Sequence, residues 1–213
     1  MPPTAPPEEA PAVAAVPGRG RFLASFAHAA AGLLDGLEHG RNMKLQVVCG
    51  ILVALVGGGV PLGVMEKLSL AACVVLVIAA EAFNTAIEAA VDLAVSAVHP
   101  LAKVAKDAAA GAVLVLAAGS VLVLALVLDA DWPSIARQGE AIRRQVVFGV
   151  PLASCAAMLV ARWRRPILLD IALALAGCAL ISLLASWTAS VAFSAMGASL
   201  FALCVAAAMR RRM

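Results

Sequence analysis

The sequence predicts an all-α integral membrane protein, built as an N-terminal amphipathic surface helix, a bundle of three spans and about three further transmembrane helices. Three observations carry that prediction. Of the 213 residues, 63% are hydrophobic and 14% charged, with a mean hydropathy of +1.00, far outside the range of a soluble domain. The apolar residues fall in runs near the ~20 that cross a bilayer. The 16 Lys and Arg residues gather in short clusters between those runs, so the net charge of +3 reports topology and gives no support for nucleic-acid binding.

Residues 1–18 are rich in Pro and Ala and lack the basic and apolar regions of a signal peptide, which predicts a disordered tail. From 19 to 44, Phe22, Phe26, Ala29, Leu33 and Leu37 recur at three or four. Arg21, Asp35, Glu38 and Arg41 interleave with them, the pattern of a helix lying on a bilayer surface. The first span is read over 45–60, closing in a turn at Gly57-Gly58-Gly59 before Pro61. The second runs over 68–95. A short loop at 96–101, containing His99-Pro100, returns the chain into a third span over 103–128. The polar stretch 129–145 is expected on the outer surface, and apolar runs at 146–161, 167–185 and 190–209 supply the remaining helices. The first of these is short for a span.

Arg19, Arg21, Arg41, Lys44, Lys103 and Lys106 all fall on one side, with the 162–165 and 210–212 clusters joining them. The positive-inside rule then places both termini in the cytoplasm. Asp170 is expected to pair with Arg164 or Arg165. The five cysteines have no CxxC or His/Cys spacing suited to zinc and read as small buried hydrophobes. Trp132, Trp163 and Trp187 each end an apolar run, where an interfacial belt places them.

Chemistry concentrates in the second span. Glu81, Asn84 and Glu88 stand at i, i+3 and i+7, so they share one helix face, with Asp92 a turn further on. Such charges inside apolar sequence read either as helix-end decoration or as a functional site, and ionisable groups in a membrane favour the latter. Glu81 and Glu88 are separated by ~10 Å along the axis, too far for one metal shell and suited to two tasks. Glu88 is the candidate to hold a metal–nucleotide complex. The deeper, desolvated Glu81 is the candidate general base on a lipid hydroxyl, with Lys106 offsetting phosphoryl charge. No P-loop, HExxH or nucleophile elbow occurs, which excludes a soluble-type nucleotide fold.

The words RNMK, EAFNTAIEAAVDL, HPLAK and AKDAAAGAVLV resemble the prokaryotic diacylglycerol kinase family, and its undecaprenol kinase branch in particular. The resemblance covers residues 20–128 and makes 19–128 a lipid kinase domain. It implies a homotrimer in the bacterial cytoplasmic membrane, Mg²⁺ with ATP as co-substrate, and active sites shared between neighbouring protomers. By position it implies Glu81 as catalytic base, Asn84 as a substrate-positioning group and Glu88 as a metal ligand at the nucleotide. Lys106 and Asp107 become nucleotide contacts, and His99 lies in the loop turned toward the nucleotide. Where the family carries a second metal-binding glutamate, immediately before the RNMK word, stands Gly40, so Glu38 becomes the candidate for that ligand. The expected acceptor is undecaprenol, the alternative diacylglycerol, and a non-catalytic scaffold or transporter is the competing class. The segment 129–213 has no counterpart in the minimal family member and no phosphatase-like motif; the role of its helices, over 146–213, is unassigned.

Overall fold

The computed structural model describes residues 19–95, 99–161 and 165–212, and their side chains from residue 24 onward. The expected tail, Trp163, Arg162, Arg164 and residues 96–98 of the expected loop lie outside the described residues. All regular elements described are helical: α1 Arg19–His39, α2 Arg41–Gly59, α3 Val64–Ala94, α4 Pro100–Ala130, α5 Trp132–Ala136, α6 Gly139–Arg144, α7 Val150–Val160, α8 Ile167–Ala185 and α9 Val191–Arg210. A π-helical turn, Gln145–Gly149, joins α6 to α7. Among the described residues six stretches are long and apolar enough to cross a membrane, namely α2, α3, α4, the continuous Gly139–Val160, α8 and α9. The chain is an all-α integral membrane protein.

The fourth span is longer than its apolar run suggested. Helix begins at Gly139 and reaches Val160, 22 residues in all. Pro151 lacks an N–H and its ring crowds the preceding turn, and the helix accommodates it by widening into the π turn just before it.

The described residues up to Gly32 belong to one compact unit and those from Leu33 onward to another. Within the second unit α2 is central. One core unites Met43, Val47 and Ile51 of α2 with Val74 of α3, Leu159 of α7 and Phe201 and Cys204 of α9, and Leu37 from the last turn of α1 joins it. A second core near the other end gathers Ala54, Leu70, Val127, Ile135 and Phe193. By contrast α4, which packs chiefly along α3, buries only Val113 and Val127.

The triple glycine is not the turn its composition suggested. Helix α2 runs through Gly59, because these glycines admit α9 and its preceding loop at close range. A Cβ on Gly57 would lie 2.5 Å from the Phe193 ring, and Gly58 O accepts from Ala189 N–H at 2.7 Å and from Thr188 Oγ1 at 3.1 Å. Gly177 does the same between α8 and α9, where a Cβ would meet Phe201 at 1.9 Å. Packing of this kind drives helix association in a bilayer, where no hydrophobic gain separates helix from lipid.

Candidate active site

Helix α3 buries a single stripe, Leu70, Val74, Val77, Glu81 and Asn84. The steps of four and three make it a packing seam, apolar for three positions and then polar. Glu81 is 3% exposed and Asn84 6%. Glu81 Oε2 and Asn84 Oδ1 are both enclosed without a hydrogen-bond partner. Such orphaned acceptors are costly in a low-dielectric interior, so a donor brought by a ligand is strongly favoured there. Thr85 Oγ1 donates to Glu81 O at 3.0 Å, and Asn84 Nδ2 donates to Glu88 Oε1 at 3.0 Å. Glu88 itself is exposed, so the row passes from a buried acid through an amide to an open carboxylate.

Helix register places this row among its neighbours. A Cβ on Gly50 would touch Val74 and Ile78, and α2 and α3 are antiparallel. Seven residues back along α2 is Met43; seven forward on α3 are Glu81 and Thr85. Glu88 therefore stands level with the start of α2. On the other side, Lys106 Nζ meets Asp92 Oδ1 at 2.5 Å. Counting inward eleven residues from each partner sets Ala117 of α4 level with Glu81.

The expected residues separate at this point. Lys106 faces α3, one turn beyond Glu88. Asp107, rotated by ~100° on the same helix, is exposed and paired with Lys103 at 2.6 Å, so it does not join the row. His99 caps α4, its Nδ1 accepting from Leu101 N–H at 3.2 Å with Pro100 at the first helical position.

Glu38 lies at the α1–α2 corner. Gly40 is extended there, with φ −76° and ψ 121°, and its N–H donates to Gly36 O at 2.7 Å. A Cβ at Gly40 would come within 2.7 Å of that same oxygen, so a glutamate at this position is sterically excluded from this corner and a carboxylate has to come from beside it. Asp35, Glu38 and His39 bring one ligand atom each within 4.8 Å of one another. His39 Nδ1 donates to Asp35 O at 3.0 Å, which leaves Nε2 as the ring nitrogen with a lone pair for a metal. Asp35 and His39 were not singled out from sequence, although their i, i+3, i+4 spacing with Glu38 was visible. The carboxylates of Asp35 and Glu38 are oxygen donors of the kind Mg²⁺ takes, and Glu88 is not one of that close cluster.

At the same end of the bundle Asp170, 2% exposed, pairs with Arg165, as expected, and also with Arg212 at 2.5 Å. No nucleophile or acid–base pair accompanies it among the described residues beyond 128.

The family model described as prokaryotic diacylglycerol kinase matches residues 27–128, ending two residues before α4 does. The chain is 38% identical over 89 residues to the undecaprenol kinase of Bacillus subtilis (strain 168), covering 42% of this chain and 72% of that protein. No solved structure matches.

Proposed function

The chain belongs to the prokaryotic diacylglycerol kinase family and is by that membership a lipid kinase drawing on ATP, and from this premise we propose that it transfers the γ-phosphate of Mg-ATP to the hydroxyl of undecaprenol. The observation that carries the reading is the position of Glu81, a buried carboxylate with an orphaned oxygen, at the end of an apolar groove. That groove, 370 Å³ in volume, runs between α2, α3 and α4 along Leu45, Cys49, Val74, Val77, Ala117 and Val121. Its lining on α3 is the stripe that Glu81 and Asn84 continue, and Ala117 and Leu45 bring it level with Glu81. The groove, with almost no polar lining, suits the hydroxyl-end isoprene units of a long tail whose remainder stays in lipid, and it would deliver the single hydroxyl to the carboxylate.

In the reaction Glu81 accepts the proton of the lipid hydroxyl as that oxygen attacks the γ-phosphorus. The bond to the bridging oxygen breaks and ADP leaves. Asn84 Nδ2, already turned toward Glu88, fixes the carboxylate that faces the nucleotide, and Lys106 places positive charge one turn away. Glu88 and Glu38 are the residues to hold Mg²⁺, which would neutralise phosphate charge when bound. His99, whose Nδ1 is taken by the helix cap, has Nε2 left to offer the nucleotide, and Asp107 meets the nucleotide only if Lys103 releases it.

The active unit is taken to be a homotrimer, with neighbouring protomers or lipid covering the sparsely buried α4. Arg41, Lys44, Lys103, Lys106, Arg165 and Arg210 to Arg212 outnumber Lys67, Arg137, Arg143 and Arg144 at the other end, which supports a cytoplasmic site in a bacterial inner membrane.

The test supplies purified protein with Mg-ATP and either undecaprenol or diacylglycerol, and reads each phosphorylated lipid by mass. Undecaprenyl phosphate is expected as the faster product. A faster yield of phosphatidic acid would reverse the acceptor assignment, and turnover of neither would leave a scaffold. A second expectation concerns Glu88→Gln. Losing a metal-binding charge shifts the Mg²⁺ dependence to higher concentration, by tenfold for each ~1.4 kcal/mol of binding lost. An unchanged Mg²⁺ titration removes Glu88 from the metal.

A further inference from the structure

The segment beyond residue 128 lies outside the part of the chain that the family model matches, yet its last helix ends at the corner that carries Glu38. Arg210, in the final turn of α9, pairs with Asp35 at 2.8 Å. Asp35 is one of the three donors clustered with Glu38 and His39. The next two arginines anchor that turn from behind. Arg211 donates to Ala161 O at 2.8 Å and also to Leu159 O, closing the exposed carbonyls at the end of α7. Arg212 donates to Arg165 O at 2.7 Å and binds the buried Asp170, which Arg165 also holds. Arg165 in turn donates to Leu159 O at 3.0 Å. Burial and the neighbouring Arg165 charge lower the Arg211 pKa, while Asp170 and Glu38 draw it back, so Glu38 lies within electrostatic reach of this turn.

We propose that the C-terminal helices are a positioning element for phosphate transfer, and that Arg210 is the residue through which they act. It pins Asp35 and with it the α1–α2 corner that presents Glu38 to the metal–nucleotide. The corner needs an outside hold. Its only joint is Gly40, an extended single residue between two helices, and a glycine joint leaves the relative direction of α1 and α2 loosely determined. The anchor on α7 and α8 provides a fixed base, and Arg210 transmits it to Asp35. Arg210 touches neither lipid nor phosphate in this scheme. It gives the extension a role although its described residues hold no catalytic constellation.

The inference rests on the kinase reading for the meaning of the corner, and its test separates the two. Purified full-length protein is titrated with Mn²⁺, a spectroscopic substitute for Mg²⁺, in the presence of a non-hydrolysable ATP analogue, and bound Mn²⁺ is read by electron paramagnetic resonance. Arg210→Gln and Asp35→Asn are each expected to weaken Mn²⁺ binding roughly two- to fivefold, the scale of an exposed pair. The double variant is expected to be no worse than either single one, because both remove one interaction. Arg210→Lys recovers most of the loss. In turnover assays KM for Mg-ATP rises while kcat holds, a split that general loosening of the fold does not produce. Unfolding midpoints of the variants, measured alongside, keep a folding defect apart from a binding one, and Asp35→Asn carries the test if Arg210→Gln assembles poorly. Unchanged Mn²⁺ binding in both single variants, additive losses in the double, or a wild type that binds no Mn-nucleotide overturns the proposal. A wild type that binds Mn-nucleotide in this Arg210-dependent way but phosphorylates no lipid overturns the kinase reading and leaves the positioning role standing.

Discussion

Replacing Glu81 by Gln is expected to lower lipid phosphorylation by about 10²–10⁴-fold, the usual contribution of a positioned general base, while nucleotide affinity stays near that of the wild type. The two quantities separate because Glu81 lies on the buried side of the row and Glu88 on the open side, with Asn84 between them. The amide keeps the size of the carboxylate and the shape of the seam, but it has no basic oxygen for the hydroxyl proton. Glu81→Asp is expected to recover little, since one missing methylene withdraws the carboxylate from a geometry that must hold within a fraction of an ångström. Turnover and analogue binding measured in one lipid mixture decide the matter. Normal turnover by Glu81→Gln would falsify the base assignment.

The largest effect on stability is expected at Asp170. Its carboxylate is enclosed between Arg165 and Arg212, and Arg165 and Arg211 also donate to the end of α7. Asp170→Ala leaves two guanidinium groups facing each other with the anion gone. Breaking a buried pair from one side costs about 3–5 kcal/mol. The thermal midpoint in a fixed detergent should fall sharply, whereas Glu140→Ala, which removes an open pair with Arg143, should leave it in place. Equal midpoints for the two variants would mean that water reaches Asp170 freely.

What was legible in the sequence follows from which signals are local. The polar row on α3 was legible because helical periodicity alone puts Glu81, Asn84 and Glu88 on one face. The split of Lys106 from Asp107 was legible in principle, since adjacent residues diverge by ~100°, but the choice of partners needed the α3–α4 register. Glycine misled at 57–59 because the same residue serves a turn and a close helix crossing, and only Phe193 and Thr188, far along the chain, distinguish them. Arg210 was invisible as a site residue for the same reason: its partner Asp35 is nearly the whole chain away. The exclusion of a side chain at Gly40 depends on the Gly36 carbonyl, a consequence of the corner and not of composition.

The seating of α9 on α2 also bears on the order in which the protein can be made. Gly58 accepts from Thr188, 130 residues later in the chain. At a synthesis rate of roughly 5–20 residues per second, α2 enters the bilayer some 6–26 s before its partner exists. During that interval its three consecutive glycines face lipid or translocon with nothing in the groove they form. Helices α3 and α4 are complete well before, so the first half of the molecule has time to find wrong partners, another nascent copy included, before the last helix arrives to occupy the space. Membrane insertase or chaperone demand should accordingly fall on the α2 face, and ribosome stalling placed just upstream of α9 is where a half-made chain would be held longest by such a factor.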